Sequence, residues 1–227
     1  MKTLINIAAS AALLAASGLP AASATPSPAL TDTVTASDAF VAMPAQTLDL
    51  LTRSMRLDML EYWKIDSIAD IANTMEGFSH LCRPVTDDWL KVQVTPVTTL
   101  TIRMLPTRKG RIAATVYTIG DSLQAADSEI RFYDAEMNEL KRDRFIKTPS
   151  SEDFFDFKGV DHKLRKELLS LVPFPTVEYT LSPDGTDLKA RLTVGKYMGR
   201  EDLEKITPYL RRDRVYHWTG SKYIMAE

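Results

Sequence analysis

Residues 89–119 read WLKVQVTPVTTLTIRMLPTRKGRIAATVYTI, and the period of their apolar residues decides the fold. Leu90, Val92 and Val94 alternate with Lys91 and Gln93. Leu100, Ile102 and Met104 alternate with Thr101 and Arg103. A repeat of two sends successive side chains to opposite faces, which is the pattern of a strand and not of a helix. Pro96 breaks the run, Arg108-Lys109-Gly110 turns the chain, and residues 111–119 make a third strand. Asp127 to Asp134, DSEIRFYD, makes a fourth. Spacers this short join antiparallel neighbours. One face of each strand is apolar and the other is rich in Thr, Lys and Arg. The expectation is a sheet with one helix-covered face and one wet face.

Upstream the period changes. Pro44 suits the first turn of a helix, and Leu48, Leu51, Met55, Met59 and Tyr62 recur at spacings of three and four. Leu57, Leu60 and Trp63 widen that face, and Asp49 and Arg53 form an i,i+4 pair on its flank. Asp66 or Ser67 caps a second predicted helix, with Ile68, Ile71, Ala72 and Met75 inward and Gly77 past its end. The stretch RSMRLDMLEYW, 53–63, carries four charges, and could pass for an active-site helix. But Arg56 and Asp58 lie about 200° apart around a helix axis and cannot address one substrate atom. This is a packing helix, with Arg56 capping carbonyls or pairing an acid such as Asp127.

Downstream, helix and strands recur. Asp161 caps HKLRKELLSLV, with Leu164, Leu168, Leu171 and Val172 inward, until Pro173 and Pro175 stop it. Val177, Tyr179 and Leu181 alternate with polar residues, Pro183-Asp184-Gly185 turns the chain, and Leu188 to Val194 returns. REDLEKI makes a short helical turn. Val215–Trp218 and Tyr223–Met225 flank Thr219-Gly220 as a hairpin. The predicted class is α+β: two tandem helix plus antiparallel-sheet units, 40–145 and 146–227, with helices packed on one sheet face.

The N-terminus reads as a targeting segment. Lys2 precedes the apolar stretch Leu4–Leu14, and Ala22-Ser23-Ala24 is a small-x-small cleavage signature, so 1–24 is a signal peptide and the destination is the periplasm or the outside. That apolar stretch is too short to span a bilayer, which takes about 20 residues, and no Cys near it could take a lipid anchor. Residues 25–39, rich in Pro, Ser, Thr and Ala, read as a flexible leader. The net charge of −2 becomes one unit more negative when Lys2 is removed, which argues against a nucleic-acid partner. Cys82 is the single cysteine, so no internal disulfide can form.

No Gly-rich phosphate loop, GxSxG elbow or HExxH occurs, and His80, His162 and His217 sit in different elements without paired metal-ligand spacing. No metal or cofactor is expected. His80-Leu81-Cys82 is the nearest approach to a nucleophile, since i,i+2 side chains on a strand share a face. Activation needs hydrogen-bond contact and a third group to orient the ring. Asp87-Asp88 and Glu152-Asp153 are adjacent acids that suit turns and caps. Lys141-Arg142-Asp143-Arg144 and Arg211-Arg212-Asp213-Arg214 read as a solvated rim, or as an anion site if one ligand spans both. Tyr209, Tyr216, Trp218 and Tyr223 crowd the last hairpin, with Tyr179 and Tyr197 upstream. If exposed, that face is a binding platform, because Tyr and Trp dominate interface hot spots. If covered, it is core.

Several motifs carry a resemblance: Phe40-Val41-Ala42-Met43-Pro44, Arg56-Leu57-Asp58-Met59, Asp88-Trp89-Leu90, Met104-Leu105-Pro106 and Asp127-Ser128-Glu129-Ile130-Arg131-Phe132-Tyr133. Together they are similar to a Bacteroidales-type secreted family of unknown function. The resemblance implies localisation and fold but no mechanism. The tandem plan also looks like the beta-lactamase-inhibitor-protein-like architecture, by topology alone. The reading that follows is a monomeric, non-catalytic module for a protein or cell-envelope partner, using Tyr216, Trp218, Tyr223 and Tyr209. The alternatives are an enzyme centred on Cys82 and His80, or an assembly protein joined through a sheet edge.

Overall fold

The computed structural model describes residues 34–120, 125–211 and 213–226. The predicted signal peptide, 1–24, lies outside the described residues, as do 25–33 of the predicted leader. The fold is α+β, as expected. Seven antiparallel strands follow in chain order: β1 (Ile71–Ala72), β2 (Phe78–Cys82), β3 (Trp89–Thr95), β4 (Thr98–Thr107), β5 (Gly110–Ile119), β6 (Asp127–Tyr133) and β7 (Glu139–Leu140). The four strands read from alternation are β3 to β6. The β4–β5 hairpin pairs Thr98 with Ile119 at one end and Thr107 with Gly110 at the other. Register places Leu90 against Ile102 and Val92 against Leu100. One face therefore carries Leu90, Val92, Val94, Leu100, Ile102 and Met104, all buried.

Two helices cover that face: α1 (Ala36–Ala42) and α2 (Arg53–Lys64). Both correct the sequence reading. Order reaches back into the predicted leader, because Thr35 and Asp38 form a reciprocal capping box and Ala36, Ala39 and Phe40 bury one face of α1. No helix starts at Pro44. The chain turns there, with Thr47 N–H on the Pro44 carbonyl and Leu51 N–H on the Leu48 carbonyl. The helix waits for Thr52, whose hydroxyl accepts from Met55 N–H. Leu48 and Leu51 are buried from this turn, not from a helix, so Asp49 and Arg53 share no helical flank.

The predicted second helix is also absent. Residues 71–82 form the β1–β2 hairpin instead, and Ile68 and Met75 are exposed. Asn73 directs this. Its Oδ1 accepts from Met75 and Gly77 N–H, while its Nδ2 donates to Ser79 Oγ and the Val94 carbonyl. A buried amide satisfied on both sides outweighs the weak helical periodicity of 68–75.

The other face of the large sheet is wet only in part. A second sheet, in the order β11-β10-β9-β8, packs on it: β8 (Val177–Leu181), β9 (Leu188–Leu192), β10 (Asp213–Trp218) and β11 (Tyr223–Met225). Leu105, Val116, Ile130 and Phe132 meet Tyr179, Leu188 and Tyr216 in a shared core. Helix α3 (His162–Ser170) starts at Asp161, whose carboxylate accepts from Lys163 and Leu164 N–H as its spacing predicts. Its Leu168, and Val172 just beyond its end, join Ile206 of α4 (Arg200–Ile206), Phe155 and Val194 in a third cluster.

Strand β8 lies at an edge, where unpaired backbone invites another chain. Here the large sheet blunts it. Asp127 Oδ1 accepts from Val177 N–H, Ser128 Oγ accepts from Tyr179 N–H, Trp89 Nε1 donates to the Leu181 carbonyl, and Arg103 donates to the Pro183 carbonyl.

Candidate functional site

Where β8 leans on the large sheet, a groove of about 850 Å³ opens between them. One wall is the outer face of β3 and β4. Strand alternation places Lys91, Gln93, Thr99 and Thr101 there, on the side opposite the buried apolar row. The other wall is the outer face of β8 and β9, with Glu178, Thr180 and Arg191. Trp89, Tyr179 and Leu181 form the floor. Lys196 stands at one end, so three cations face one acid along the groove.

These wall residues are mostly committed to structure at one end and open at the other. Gln93 Nε2 donates to the Thr95 and Thr98 carbonyls. Arg191 pairs with Asp213 at 2.8 Å, which holds its guanidinium above the usual range. Trp89 is buried and its indole N–H is used, so it offers no open ring face. Burial pushes the Tyr179 phenol up to about 12, so the floor stays uncharged at neutral pH. The result is a trough of hydroxyl, amide and ammonium groups over an apolar floor. Among the described residues it has no general base held against a nucleophile.

The aromatic hairpin proves to face inward at its centre. Tyr216 and Tyr223 are 2% and 4% exposed, in the core between the sheets. Trp218 is half-buried. It donates to the Pro106 carbonyl at 2.7 Å, meets Tyr223 edge-on at 5.1 Å and stacks over Phe145. Tyr209 packs against the third cluster from a 3-10 turn, Thr207–Tyr209, after α4. These rings join the two sheets and the 145–155 segment; Tyr216 and Tyr223 present no open platform.

His80 and Cys82 share the outer face of β2, beside Gln93 and Lys91 of β3. The ring nitrogen of His80 contacts Asp70 Oδ1 at 3.0 Å. Burial, the larger effect, raises the Cys82 thiol against the opposing pull of Lys91. A thiol held protonated is a poor nucleophile. Among the described residues no group of three or more His, Cys, Asp and Glu could hold a metal ion. Asp153, one of the adjacent acids, closes a capping box with Ser150. Arg56 is 3% exposed and donates from Nη1 to the Phe40 and Met43 carbonyls at 2.8 and 2.7 Å. It ties α1 to α2 and is not free for a substrate.

Over residues 31–223 the sequence matches a family described as "Protein of unknown function (DUF3256)". The chain belongs to this family. It is also similar to a solved structure, a domain of an uncharacterized protein from Porphyromonas gingivalis W83. The identity is 23%, with 84% of this chain and 96% of that chain covered and a TM-score of 0.71. At that identity the likeness shows the fold. No curated protein matches the chain. Both findings agree with the resemblance read from the Phe-x-x-Met-Pro and Asp-Ser-x-Ile motifs, a family of unknown function with a Bacteroidales relative.

The groove residues were visible in the sequence only as the polar half of an alternation. Lys91, Gln93, Thr99 and Thr101 read as a wet face, and nothing local told that a second sheet would wall one side of it. The one available signal was the run of Thr at 95, 98, 99 and 101, dense for a purely solvated surface.

Proposed function

We propose that the chain is a non-catalytic binding module of the periplasm or the extracellular space, and that the groove between the sheets takes an extended acidic peptide segment of a partner protein. The observation that carries this is the groove itself: two polar walls, an apolar floor and a positive excess, with no convergent catalytic set among the described residues. Its volume suits a well-formed binding cleft. Hydroxyl and amide rows match the main-chain groups of an extended peptide. Lys91 and Lys196 match acidic side chains and steer their approach. A glycan fits less well, because sugar rings are held on exposed aromatic faces and Trp89 and Tyr179 are covered. The targeting pattern at Lys2, Leu4–Leu14 and Ala22-Ser23-Ala24 supports export. Among the described residues no helix is long and apolar enough to cross a membrane.

A peptide array and a glycan array, each probed with the mature chain, test the reading. Acidic extended peptides are expected to bind. Lys91→Glu should weaken them at least about tenfold, which is 1.4 kcal/mol. Binding to glycans alone, or peptide binding indifferent to Lys91→Glu and Thr99→Trp, rejects it.

A further inference from the structure

Away from the groove, the basic run at 211–214 meets Lys147 and Arg165. Lys147, Arg165, Arg211 and Arg214 line a basin of about 430 Å³, together with Glu152 and Asp153. Four cations against two acids leave an excess of two positive charges. The acids are occupied. Glu152 is bonded to Arg165, and Asp153 accepts from both the amide and the hydroxyl of Ser150. Among the described residues, Arg211 pairs with Asp156 at 3.8 Å. The Arg214 guanidinium donates to the Ala226 carbonyl and to Met225 Sδ. Lys147 is exposed and makes no ion pair among the described residues. Arg165 lies over the Phe157 ring at 5.2 Å, which fixes its plane.

A second cavity of about 370 Å³ adjoins this basin and shares Lys147 and Asp153 with it. Phe145, Ile146, Pro149, Tyr216 and Met225 give it an apolar part, and Asp143, Arg144 and Lys222 line it as well. Tyr216 is 2% exposed, yet its hydroxyl has no hydrogen-bond partner. Asp153 and Arg214, both of the basin wall, are among the charges that act on that hydroxyl. A buried unpartnered hydroxyl costs stability unless something else satisfies it. Tyr216 lines the second cavity, which adjoins the cationic basin.

We infer that the basin and slot together form a second ligand site, for a small molecule or modified side chain that joins a tetrahedral anionic group, a phosphate or sulfate ester, to a short apolar stem. The anionic group lies among Lys147, Arg165, Arg211 and Arg214 and offsets their excess. The stem enters the slot beside Phe145, Ile146 and Met225, and the Tyr216 hydroxyl donates to the anion at the junction. This site is separate from the intersheet groove and does not depend on it.

Titration calorimetry of the full mature chain at physiological salt tests the inference, with hexyl phosphate, hexyl sulfate, inorganic phosphate and hexanol as probes. Burial of two or three methylenes predicts that the hexyl esters bind roughly tenfold or more tighter than inorganic phosphate, while hexanol alone does not bind. Hexyl phosphate against hexyl sulfate tells which of the two anionic groups the basin takes. Lys147→Gln, on an exposed side chain, and Arg214→Gln should each weaken the ester severalfold, while Lys91→Gln in the groove leaves it unchanged. Tyr216→Phe should weaken the ester but leave the unliganded chain as stable as before, or more so. Equal affinity for hexyl phosphate and inorganic phosphate would overturn the inference. So would an effect of Lys91→Gln as large as that of Lys147→Gln, which would mean diffuse charge and no built site.

Discussion

Replacing Arg56 by Met removes the one buried cation that holds the first helix to the second. The structure sets the magnitude. Two short bonds run from Nη1 to the Phe40 and Met43 carbonyls, and a longer one runs from Nε to the Thr52 carbonyl at 3.4 Å. Bonds from charged donors are worth about 1.5–3 kcal/mol each, and carbonyls left unpaired cost about 1–3. Against this stands the cost of burying the guanidinium, which, with the charge of Arg53 beside it, lowers its proton affinity. The expected net loss is about 3 kcal/mol. In a chain of this size that lowers Tm by roughly 6–12 °C. Urea unfolding followed by circular dichroism measures the free energy, and hydrogen exchange reports where the loss falls. Helix α1 has seven residues and cannot persist without its dock, so its amides should exchange fastest. Arg56→Lys should fall in between, because one ammonium cannot copy the fork. A loss within about 0.5 kcal/mol for Arg56→Met, the range of an ordinary surface change, with α1 amides still protected, would refute the reasoning.

Other outcomes follow from the same geometry. Cys82 should react slowly with a thiol probe at neutral pH and quickly once denaturant is added; rapid labelling of the folded chain would restore the nucleophile reading. The buried phenols of Tyr179, Tyr216 and Tyr223 are all raised, chiefly by burial, with Tyr179 at about 12. The folded state holds these protons more tightly than the unfolded chain, whose tyrosines titrate near pH 10, so this stability is complete below pH 10 and is lost as pH rises through about 12. Tyr179 alone accounts for about 3 kcal/mol. Phenolate absorbance should therefore rise together with unfolding and not before it. Gly120 has φ +111, and a Cβ there would meet the Ala125 carbonyl oxygen at 2.6 Å, so Gly120→Ala should cost about 2 kcal/mol in urea unfolding.

What the sequence discloses is graded by how local the physics is. Strands β3 to β6 follow from alternation, and α3 from one Asp161 cap, because both signals lie within a few residues of the element they set. The 44–63 region misleads because Leu48 and Leu51 fall on a helical period by accident of a turn. The deciding signal was Thr52, a better start than Pro44. Residues 66–77 mislead for a different reason. Asn73 wins by bonding to Ser79 and to Val94, the latter 21 residues away, and no window over 66–77 contains that partner. Arg56 was legible in role, as a carbonyl cap, since a lone guanidinium beside an apolar face must find acceptors. The groove was not, because it exists only where β8 crosses the outer face of β3 and β4. The aromatic hairpin was legible in composition but not in direction: Tyr216 and Tyr223 point inward because β9, β10 and β11 lay their apolar side on Phe132 and Val116.

The most direct trial of the groove as the recognition surface is a nuclear magnetic resonance titration of the mature chain with an acidic peptide selected on the array. Shifts confined to Lys91, Gln93, Thr99, Thr101, Thr180 and Arg191 are the expected result. Shifts gathered instead around Trp218 and Tyr223, or along the exposed edge at Phe78, with the β3 and β4 amides unmoved, would contradict it.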